Sequence, residues 1–404
     1  MKLLKKIFSY EMFRSFLFFI QVFKKRHYDV VLYYSVIYNR NRGGKNSTIK
    51  PLIEVFEDLG VKYLLLEESD LKGRYSGYRN NPNAIPFDFI SLVSTIIGKI
   101  YRRKISDLDQ YGAKAFVAKK IKKFFFKNFF IDIYITTEHH SLTLWREISP
   151  KARIAIYKLG LTNKVVKPVF EKKNKVDTLV YSDFFKKLLI KNDITAYYNS
   201  KNIINIGKAN NSSENKNKDR GKTILFTSQM CPELKDFNLD TKYIKVMNDF
   251  FTNNADFFRN NRYKILFRHH PRYVYDDRIN LDYDFIEFLD SDLNNLLKRV
   301  GLHITVYSAT AIDASLHKIP TMFIYDDNFK TLSKGIFFNL FNYPFENLFI
   351  KSDKPIDIVL KEIEENFQFY KGKIFEWGKY INNDFKSDTF KEFLLEKLHK
   401  NEKK

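Results

Sequence analysis

Hydrophobic and polar positions alternate along this chain in a pattern that predicts parallel α/β units. From Tyr28 onward, short runs of β-branched, aliphatic and aromatic residues are each followed by a stretch with helical spacing. Such alternation is typical of strands joined by crossover helices. The first half is therefore predicted to form one doubly wound sheet, with a helix over 49–59 that ends at Gly60. Its predicted strands are 29–35, 61–66, 131–137, 153–157, 178–182 and 203–206.

A second series of the same kind follows a strongly polar stretch. Residues 208–222 contain no apolar residue larger than alanine, so they cannot bury surface and are predicted to be a linker. The expected fold is α/β, with two Rossmann-like domains, a cleft between them and a helical tail from Pro355 onward. The predicted domains are 1–207 and 223–404. The second has predicted strands at 223–227, 264–268, 303–307 and 321–325, and helices at 242–254, 291–299 and 309–317.

Length and cysteine content support this division and limit the class of protein. A chain of 404 residues exceeds what one hydrophobic core serves, because cores stop growing at about 250–300 residues. Hydrophobic residues make up 44% of the chain, which is enough for two cores and argues against wholesale disorder. Cys231 is the single cysteine, so an intrachain disulfide is impossible and a reducing, cytoplasmic location is expected.

The formal net charge of +22 indicates an anionic partner. Residues 1–28 carry seven Lys/Arg against Glu11 alone, and residues 99–127 carry ten against two acids. Both segments interleave the charge with Phe, Leu and Ile, which favours a basic amphipathic helix on an anionic membrane over nucleic acid. The apolar run 16–23 has eight residues, too few to span a bilayer, which takes about 20. A buried first helix of the N-terminal domain is the equally weighted alternative.

Cationic side chains stand at the end of the predicted strand 264–268. Arg268, His269 and His270 follow its apolar core, and Pro271 forces the chain out of the sheet. Pro271 also favours an extended conformation at His270. An imidazole and a guanidinium at a strand end suit the phosphate of a leaving group, which gains negative charge as its bond breaks. The alternative is an ordinary strand end with solvated histidines.

Small hydroxyl residues stand at the end of the predicted strand 303–307. Ser308 and Thr310 occupy the turn, and a helix is predicted to start at once. Backbone N–H groups at a helix start bind anions, and a hydroxyl there adds a donor. Ser308 is equally well explained as a helix cap, and capping geometry directs the same groups at a ligand.

Together the two segments resemble the H-P and S-(S/T) motifs of bacterial GT-B transferases that use cytidine-nucleotide donors. This group includes sialyltransferases, capsule Kdo transferases and, more distantly, teichoic-acid glycerophosphotransferases. The resemblance covers about residues 220–330 well and the N-terminal domain only in outline. It implies that His270 contacts the donor phosphate and assists the leaving group, and that Ser308 and Thr310 bind phosphate. Ala309 stands where many members keep a second adjacent hydroxyl residue, which makes Thr310 a weaker match than Ser308.

Three further positions are candidate contacts of the donor nucleotide. Asp313 lies where related folds place a carboxylate for the ribose hydroxyls, although an acid in the first turn of a helix also complements its dipole. Gln229 follows the strand 223–227 and is predicted to touch the nucleotide, as is Pro271 beside the candidate histidine.

The resemblance also implies a general base in the N-terminal domain, supplied by an acid in a short Gly-containing motif. Residues 57–60 read Glu-Asp-Leu-Gly, but they end a predicted helix instead of following a strand. Glu138 is the better candidate because it directly follows the strand 131–137, and His139 beside it is a further candidate in the cleft. Predicted contacts of the acceptor or the cleft are Arg40, Arg42, Gly43, Gly44 and Lys158.

The sequence therefore predicts a metal-independent glycosyltransferase without a cofactor, located at the cytoplasmic face of a membrane. The expected donor is a nucleotide sugar, with a CMP-linked sugar such as sialic acid or Kdo favoured over a UDP-linked one. The expected acceptor is a surface glycan or a glycolipid, and no nucleic-acid partner is expected. One alternative is a CDP-polyol phosphotransferase of the teichoic-acid type. The other is a non-catalytic protein whose basic surface binds membrane or nucleic acid.

Overall fold

The structure of the chain is a computed structural model that describes most of the sequence. Two parallel-sheet α/β units account for the described residues. Those residues are 10–21, 23–35, 49–69, 81–102, 104, 110–137, 142–157, 176–191, 201–208, 222–230, 238–270, 278, 281–289 and 291–402.

The first unit contains a seven-stranded, fully parallel sheet with the order β3-β2-β1-β4-β5-β6-β7. Its central strand β1 pairs with β2 on one side and β4 on the other, and its residues from Val30 to Tyr34 are buried. Near-continuous apolar strands are expected where both faces of a parallel sheet are covered. The strands are β1 (Arg26–Ser35), β2 (Tyr63–Glu68), β3 (Ala84–Pro86), β4 (Phe129–Thr136), β5 (Arg153–Tyr157), β6 (Asp177–Val180) and β7 (Ile203–Asn205).

Helices surround this sheet, and aromatic side chains fill much of its core. The Trp145 indole is buried and stacks on Tyr134 with ring centroids 4.8 Å apart, and it also contacts Phe87 and Phe126. The helices of this unit are α1 (Tyr10–Phe19), α2 (Lys50–Asp58), α3 (Asp88–Ile100), α4 (Gln110–Phe125), α5 (Leu142–Ile148), α6 (Asp183–Lys191) and, from the C-terminus, α12 (Ser387–Glu402).

The second unit contains a six-stranded parallel sheet with the order β10-β9-β8-β11-β12-β13. The strands are β8 (Thr223–Thr227), β9 (Lys264–Arg268), β10 (Ile286–Phe288), β11 (Leu302–Thr305), β12 (Thr321–Tyr325) and β13 (Phe349–Lys351). The helices are α7 (Asp240–Asn260), α8 (Leu293–Leu297), α9 (Thr310–Leu316), α10 (Asp357–Glu365) and α11 (Phe367–Ile381), with a π-helix over Thr331–Leu340 and a 3₁₀ turn over Glu346–Leu348.

The structure confirms the predicted fold class, and every predicted strand is present with small shifts of its ends. Three strands were not predicted, namely β3, β10 and β13. Each has three residues, and so short a run carries no periodic signal.

The end of the chain packs with the first unit. Residues 384–404 group with 1–209, and 210–383 form the second unit, whereas the sequence-based boundary assigned all of 223–404 to the second domain. Phe390 of α12 packs against Phe56 with ring centroids 6.0 Å apart, and Lys386 N, just before α12, donates to Ile206 O at 2.8 Å. Gly207 has a φ of +69°, and a Cβ there would lie 2.0 Å from Asp384 O. A residue larger than glycine at position 207 would therefore collide with the segment at Asp384 that leads into α12. The predicted linker 208–222 lies almost wholly outside the described residues.

Both sheets reverse their strand order at the centre. Numbered within each unit, the orders are 3-2-1-4-5-6-7 and 3-2-1-4-5-6, so the reversals fall between β1 and β4 and between β8 and β11. Open α/β sheets bind ligands at such a reversal, outside the carboxyl ends of the strands. The carboxyl ends of these strands are therefore where a site is expected.

Candidate functional site

In the second unit, hydrogen bonds join the carboxyl ends of three neighbouring strands. Strand β8 pairs with both β9 and β11. Ser228 N donates to Arg268 O at 3.0 Å, and Thr305 Oγ1 donates to Thr227 O at 2.9 Å. These bonds fix the starting points of the segments that carry Gln229, Arg268 to His270, and Ser308 to Thr310.

The Ser308 hydroxyl is the centre of a polar network across the strand reversal. Its Oγ accepts from Gln229 Nε2 at 2.6 Å and from Thr310 N at 3.1 Å, and it donates to Thr310 Oγ1 at 2.9 Å. A serine hydroxyl has one proton, and here that proton goes to Thr310. Ser308 is 2% exposed, whereas Thr310 is half-buried. The Thr310 hydroxyl therefore keeps its own proton for another acceptor, and its oxygen is held by Ser308.

This geometry makes Thr310 the better candidate for the phosphate contact and Ser308 the residue that orients it. The motif comparison made Ser308 the firmer phosphate contact and Thr310 the weaker. Gln229, which was predicted to touch the nucleotide, donates its side-chain amide to Ser308, and its backbone N donates to Tyr243 Oη at 2.7 Å. Gln229 thus belongs to the same network as the hydroxyls.

The helix after the turn is short. Helix α9 spans seven residues, Ala309 occupies its N-cap position with no side-chain bond, and the capping hydroxyl comes from Ser308, one residue earlier. Because so few peptide units are aligned in this helix, its dipole is small. Hydroxyl and amide donors must therefore supply most of any anion binding. Asp313 lies half-buried in the first turn, three residues after Thr310 and hence on the same side of the helix.

The two neighbouring histidines have different surroundings. The His269 ring stacks on Phe288 at 5.5 Å with an interplanar angle of 12°, and it lies edge-on to Phe267 at 5.0 Å. Burial lowers the pKa of His269 to about 4, so the ring is neutral at physiological pH. His269 is therefore a packing residue. His270 is half-buried and follows it directly, and because side chains alternate along extended chain we expect it to face the opposite side.

Arg268 stands at the end of β9 in a half-buried position. Its Nε donates to Ser291 O at 3.3 Å, which holds the guanidinium near the edge of the sheet.

A buried histidine lies beneath this edge and was not singled out from the sequence. His303 Nε2 lies 2.8 Å from Thr227 Oγ1, and its Nδ1 lies 3.0 Å from Thr321 Oγ1. Complete burial lowers the pKa of His303 to about 3. The neutral ring thereby joins strands β8, β11 and β12 inside the second sheet.

In the first unit, acids stand at the carboxyl end of strand β2. Glu67 and Glu68 end β2, and Glu67 is 3% exposed. Tyr33 Oη donates to Glu68 Oε2 at 2.8 Å, and Ser69 Oγ donates to Asp88 Oδ1 at 2.7 Å. The signal that could have found them was the pair of glutamates directly after the predicted strand 61–66.

The two acids of the motif 57–60 have partners within the first unit. Glu57 Oε1 accepts from Tyr63 Oη at 2.9 Å, and Asp58 pairs with Lys391 of α12 at 3.3 Å. Both acids lie at the end of α2 and not after a strand. The structure therefore agrees with the prediction that these acids end a helix instead of following a strand.

Several predicted site residues lie outside the described part of the chain, so their predicted roles remain predictions. In the second unit this applies to Pro271. In the first unit it applies to the candidates that follow β1, β4 and β5, namely Arg40, Arg42, Gly43, Gly44, Glu138, His139 and Lys158.

Acids elsewhere have local partners. Asp326 Oδ1 accepts from Asn328 N and Phe329 N in a turn, and Asp327 pairs with Lys351 at 3.2 Å. Among the described residues, one cluster has metal-ligand composition: His27, Asp29 and Asp132. His27 Nε2 already lies 2.9 Å from Asp132 Oδ2, and this exposed cluster lies towards the amino ends of β1 and β4, away from the expected ligand edge.

Comparisons with known proteins define the fold. No family model matches the sequence, and the search of curated proteins also gave no match. The S. aureus MnaA–UDP complex superposes with a TM-score of 0.52 at 11% identity, over 91% of this chain and 97% of MnaA. The glycosyltransferase SnogD from Streptomyces nogalater gives 0.51 at 10%, over 93% and 100%. A variant of the wall teichoic acid polymerase TagF gives 0.49 at 14%, over 93% and 90%, which is too loose to bear on function.

The chain thus has the two-domain GT-B fold. At these identities the likeness shows the fold alone. The reaction has to be argued from the residues at the carboxyl edge of each sheet.

Proposed function

We propose that this protein is a glycosyltransferase whose second unit binds the nucleotide-linked donor. The observation that carries the proposal is the Gln229–Ser308–Thr310 network at the strand reversal between β8 and β11. It brings hydroxyl and amide donors together at the place where α/β sheets bind ligands, beside the strand end that carries Arg268 and His270. We assign the donor sugar to the CMP-linked class, with UDP-linked sugars second.

In this proposal the second unit stabilises charge on the leaving nucleotide. As the bond to the sugar breaks, negative charge accumulates on the phosphate oxygens. Arg268, His270 and Thr310 then donate charged or polar hydrogen bonds to those oxygens, and Ser308 keeps Thr310 oriented. The same groups would supply the charge that a metal ion supplies elsewhere, so we propose that the transfer needs no metal. Asp313 is assigned to the ribose hydroxyls.

The first unit is proposed to bind the acceptor, a surface glycan or glycolipid. Removing the proton of the attacking hydroxyl requires a base within hydrogen-bond reach. Glu138 remains a candidate because it follows β4 directly. Glu68 is a second candidate because it ends β2 at the same edge of the sheet, and Tyr33 Oη orients its carboxylate. We also propose that the enzyme works at an anionic membrane surface, where lipid-linked acceptors lie.

The direct test is nucleotide release from a panel of donors by the purified full chain. CMP-linked sugars, UDP-linked sugars and CDP-glycerol are each incubated with the protein, with and without EDTA, and the released nucleotide is measured by chromatography. We expect release from a CMP-linked sugar that is unaffected by EDTA. Release from CDP-glycerol alone would instead identify a polyol phosphotransferase. No release from any donor, together with no nucleotide binding, would support a non-catalytic binding protein.

A further inference from the structure

Helix α1 is fixed to the first sheet by one face. Met12, Ser15 and Phe19 are buried, which places one side of the helix against the protein. Ser15 Oγ donates to Pro86 O at 2.6 Å, and Arg14 donates to Ala84 O at 3.1 Å, so both bonds attach the helix to strand β3. These contacts within the first unit are enough to hold the inner face of α1 in position.

The outer face of α1 is also apolar. Tyr10, Phe13 and Leu17 follow one another at helical spacing and are 62%, 56% and 40% exposed, and Ile20 continues the row at 39%. In a globular protein the solvent side of a surface helix is normally polar. A contiguous exposed apolar row of this kind marks an interaction site. Phe23, just beyond the helix, is 94% exposed.

Lysines border this apolar row. Arg26 N donates to Asn128 O at 2.9 Å, which brings the turn after α1 beside the connection between α4 and β4. Lys24 and Lys25 lie in that turn, Lys123 lies in the last turn of α4 and Lys127 lies in the connection, and all four are exposed. Lys25 Nζ also lies 5.8 Å from the centre of the exposed Phe130 ring. We call the outer row of α1, Phe23 and these four lysines the basic apolar face.

We propose that the basic apolar face docks the protein on an anionic lipid bilayer, with α1 lying in the plane of the interface. A row of Phe, Leu and Ile can enter the boundary between headgroups and acyl chains, and bordering lysines attract the anionic headgroups. No helix in the described parts of the chain is long and apolar enough to cross a bilayer.

Charge distinguishes lipid from a second copy of the chain as the occupant. A symmetric dimer through the same surface would bring the lysines of both copies together, and such like-charge contacts are unfavourable. The formal charge of +22 opposes self-association in the same way. An anionic surface satisfies both the apolar row and the lysines. This inference deepens the membrane location in the proposed function, but it does not depend on the transfer reaction.

The test is co-sedimentation of the full chain with vesicles. We expect binding to vesicles of phosphatidylglycerol and phosphatidylcholine in equal parts, and weak binding to phosphatidylcholine alone. Raising the salt from about 0.1 M to about 1 M shortens the screening length from about 10 Å to about 3 Å and should release the protein. Replacing Lys24, Lys25, Lys123 and Lys127 by Gln should weaken binding by roughly 100-fold or more, because each basic residue near the surface contributes about fivefold.

The apolar row is tested with a matched control. The variant Phe13→Ser/Leu17→Ser/Phe23→Ser should lose at least about tenfold in vesicle binding, because three buried apolar side chains are removed from the interface. The control Ile358→Ser/Phe369→Ser/Tyr380→Ser changes exposed apolar residues of the second unit and should bind as the wild type does. Nucleotide binding by each variant, measured by thermal shift, separates a failure of docking from a failure of the donor site.

Three results would overturn the proposal. The first is no binding of the wild type to anionic vesicles. The second is equal binding by the apolar-row variant, the control and the wild type. The third is a wild-type dimer in light scattering that the apolar-row variant converts to a monomer, with no lipid binding by either, because that result would assign the face to a second copy.

Discussion

The two sheets begin with the same strand order, yet the ends of their second strands, β2 and β9, carry opposite chemistry. In the first unit β2 ends in the acids Glu67 and Glu68. In the second unit the edge ends in Arg268 and His270 beside the Ser308–Thr310 hydroxyls. The fold determines where ligands bind, and the residues at the strand ends determine which ligands they are.

This difference suits a reaction with two kinds of substrate. An acidic edge can take a proton from an acceptor hydroxyl, and a cationic edge can stabilise a departing phosphate.

The largest effect is expected at the acidic edge. We expect only one of Glu138→Gln and Glu68→Gln to lower kcat, by roughly 10²–10⁴-fold, because loss of a general base removes that much. The donor KM should not change in either variant, since the substitution lies on the acceptor side. The measurement is steady-state nucleotide release with the acceptor varied. A large rise in donor KM for Glu68→Gln would show that the acidic edge takes part in donor binding.

At the cationic edge, His270→Ala should lower kcat by about 10²–10³-fold, the usual effect of losing one preorganised donor to a charged transition state. The matched control is His269→Phe, which keeps the aromatic stack on Phe288 and removes no charge, because burial holds the pKa of His269 at about 4. That control should retain nearly full activity. Equal losses in the two variants would contradict the separation of the histidines into a ligand and a packing residue.

Substitutions of the Ser308 and Thr310 hydroxyls should have a smaller effect, which is expected on donor binding. Thr310→Val removes the proton presented to the phosphate and should weaken donor binding by about 10-fold to 100-fold, the range for one hydrogen bond to a charged group. Thr310→Ser should restore binding. Ser308→Ala acts through Thr310 and should also weaken binding, but in the double variant the two losses should not add. Calorimetric titration measures nucleotide binding by the wild type and by these four variants.

The smallest effect is a pH dependence of stability in the second unit. Burial lowers the pKa of His303 to about 3, while in the unfolded chain it is about 6.5. Between these values the unfolded state binds the proton more tightly, so stability falls as the pH falls. At pH 5 the second unit should be less stable than at pH 7 by about 2 kcal/mol from this residue. Urea unfolding at the two pH values measures the change, and His303→Gln should make it smaller. An equal change in the variant would exclude His303 as its source.

Much of this fold could be predicted from the sequence, because long apolar strands alternate with helical stretches. The return of α12 to the first unit could not, since it depends on long-range contacts such as Phe390 with Phe56. The three-residue strands were missed because their pairing depends on neighbours and not on a local pattern.

The site residues stay predictions, but the strands that were predicted to precede them are present. His270 follows β9 and Ser308 follows β11 in the second sheet. The separate roles of Ser308 and Thr310 depend on which hydroxyl receives the Gln229 amide, and a sequence does not contain that geometry. The packing of His269 likewise depends on Phe288 from an unpredicted strand.

The central claim is that the second unit binds a nucleotide through the cationic edge. Its most direct test is a thermal shift of the full chain with CMP, CDP, UDP and GDP, each with and without EDTA. A ligand that binds only the folded state raises the melting temperature. We predict a rise with a cytidine nucleotide that EDTA leaves unchanged and that Thr310→Val and His270→Ala reduce. No response to any of the four nucleotides, or a response only with added metal, would contradict the account.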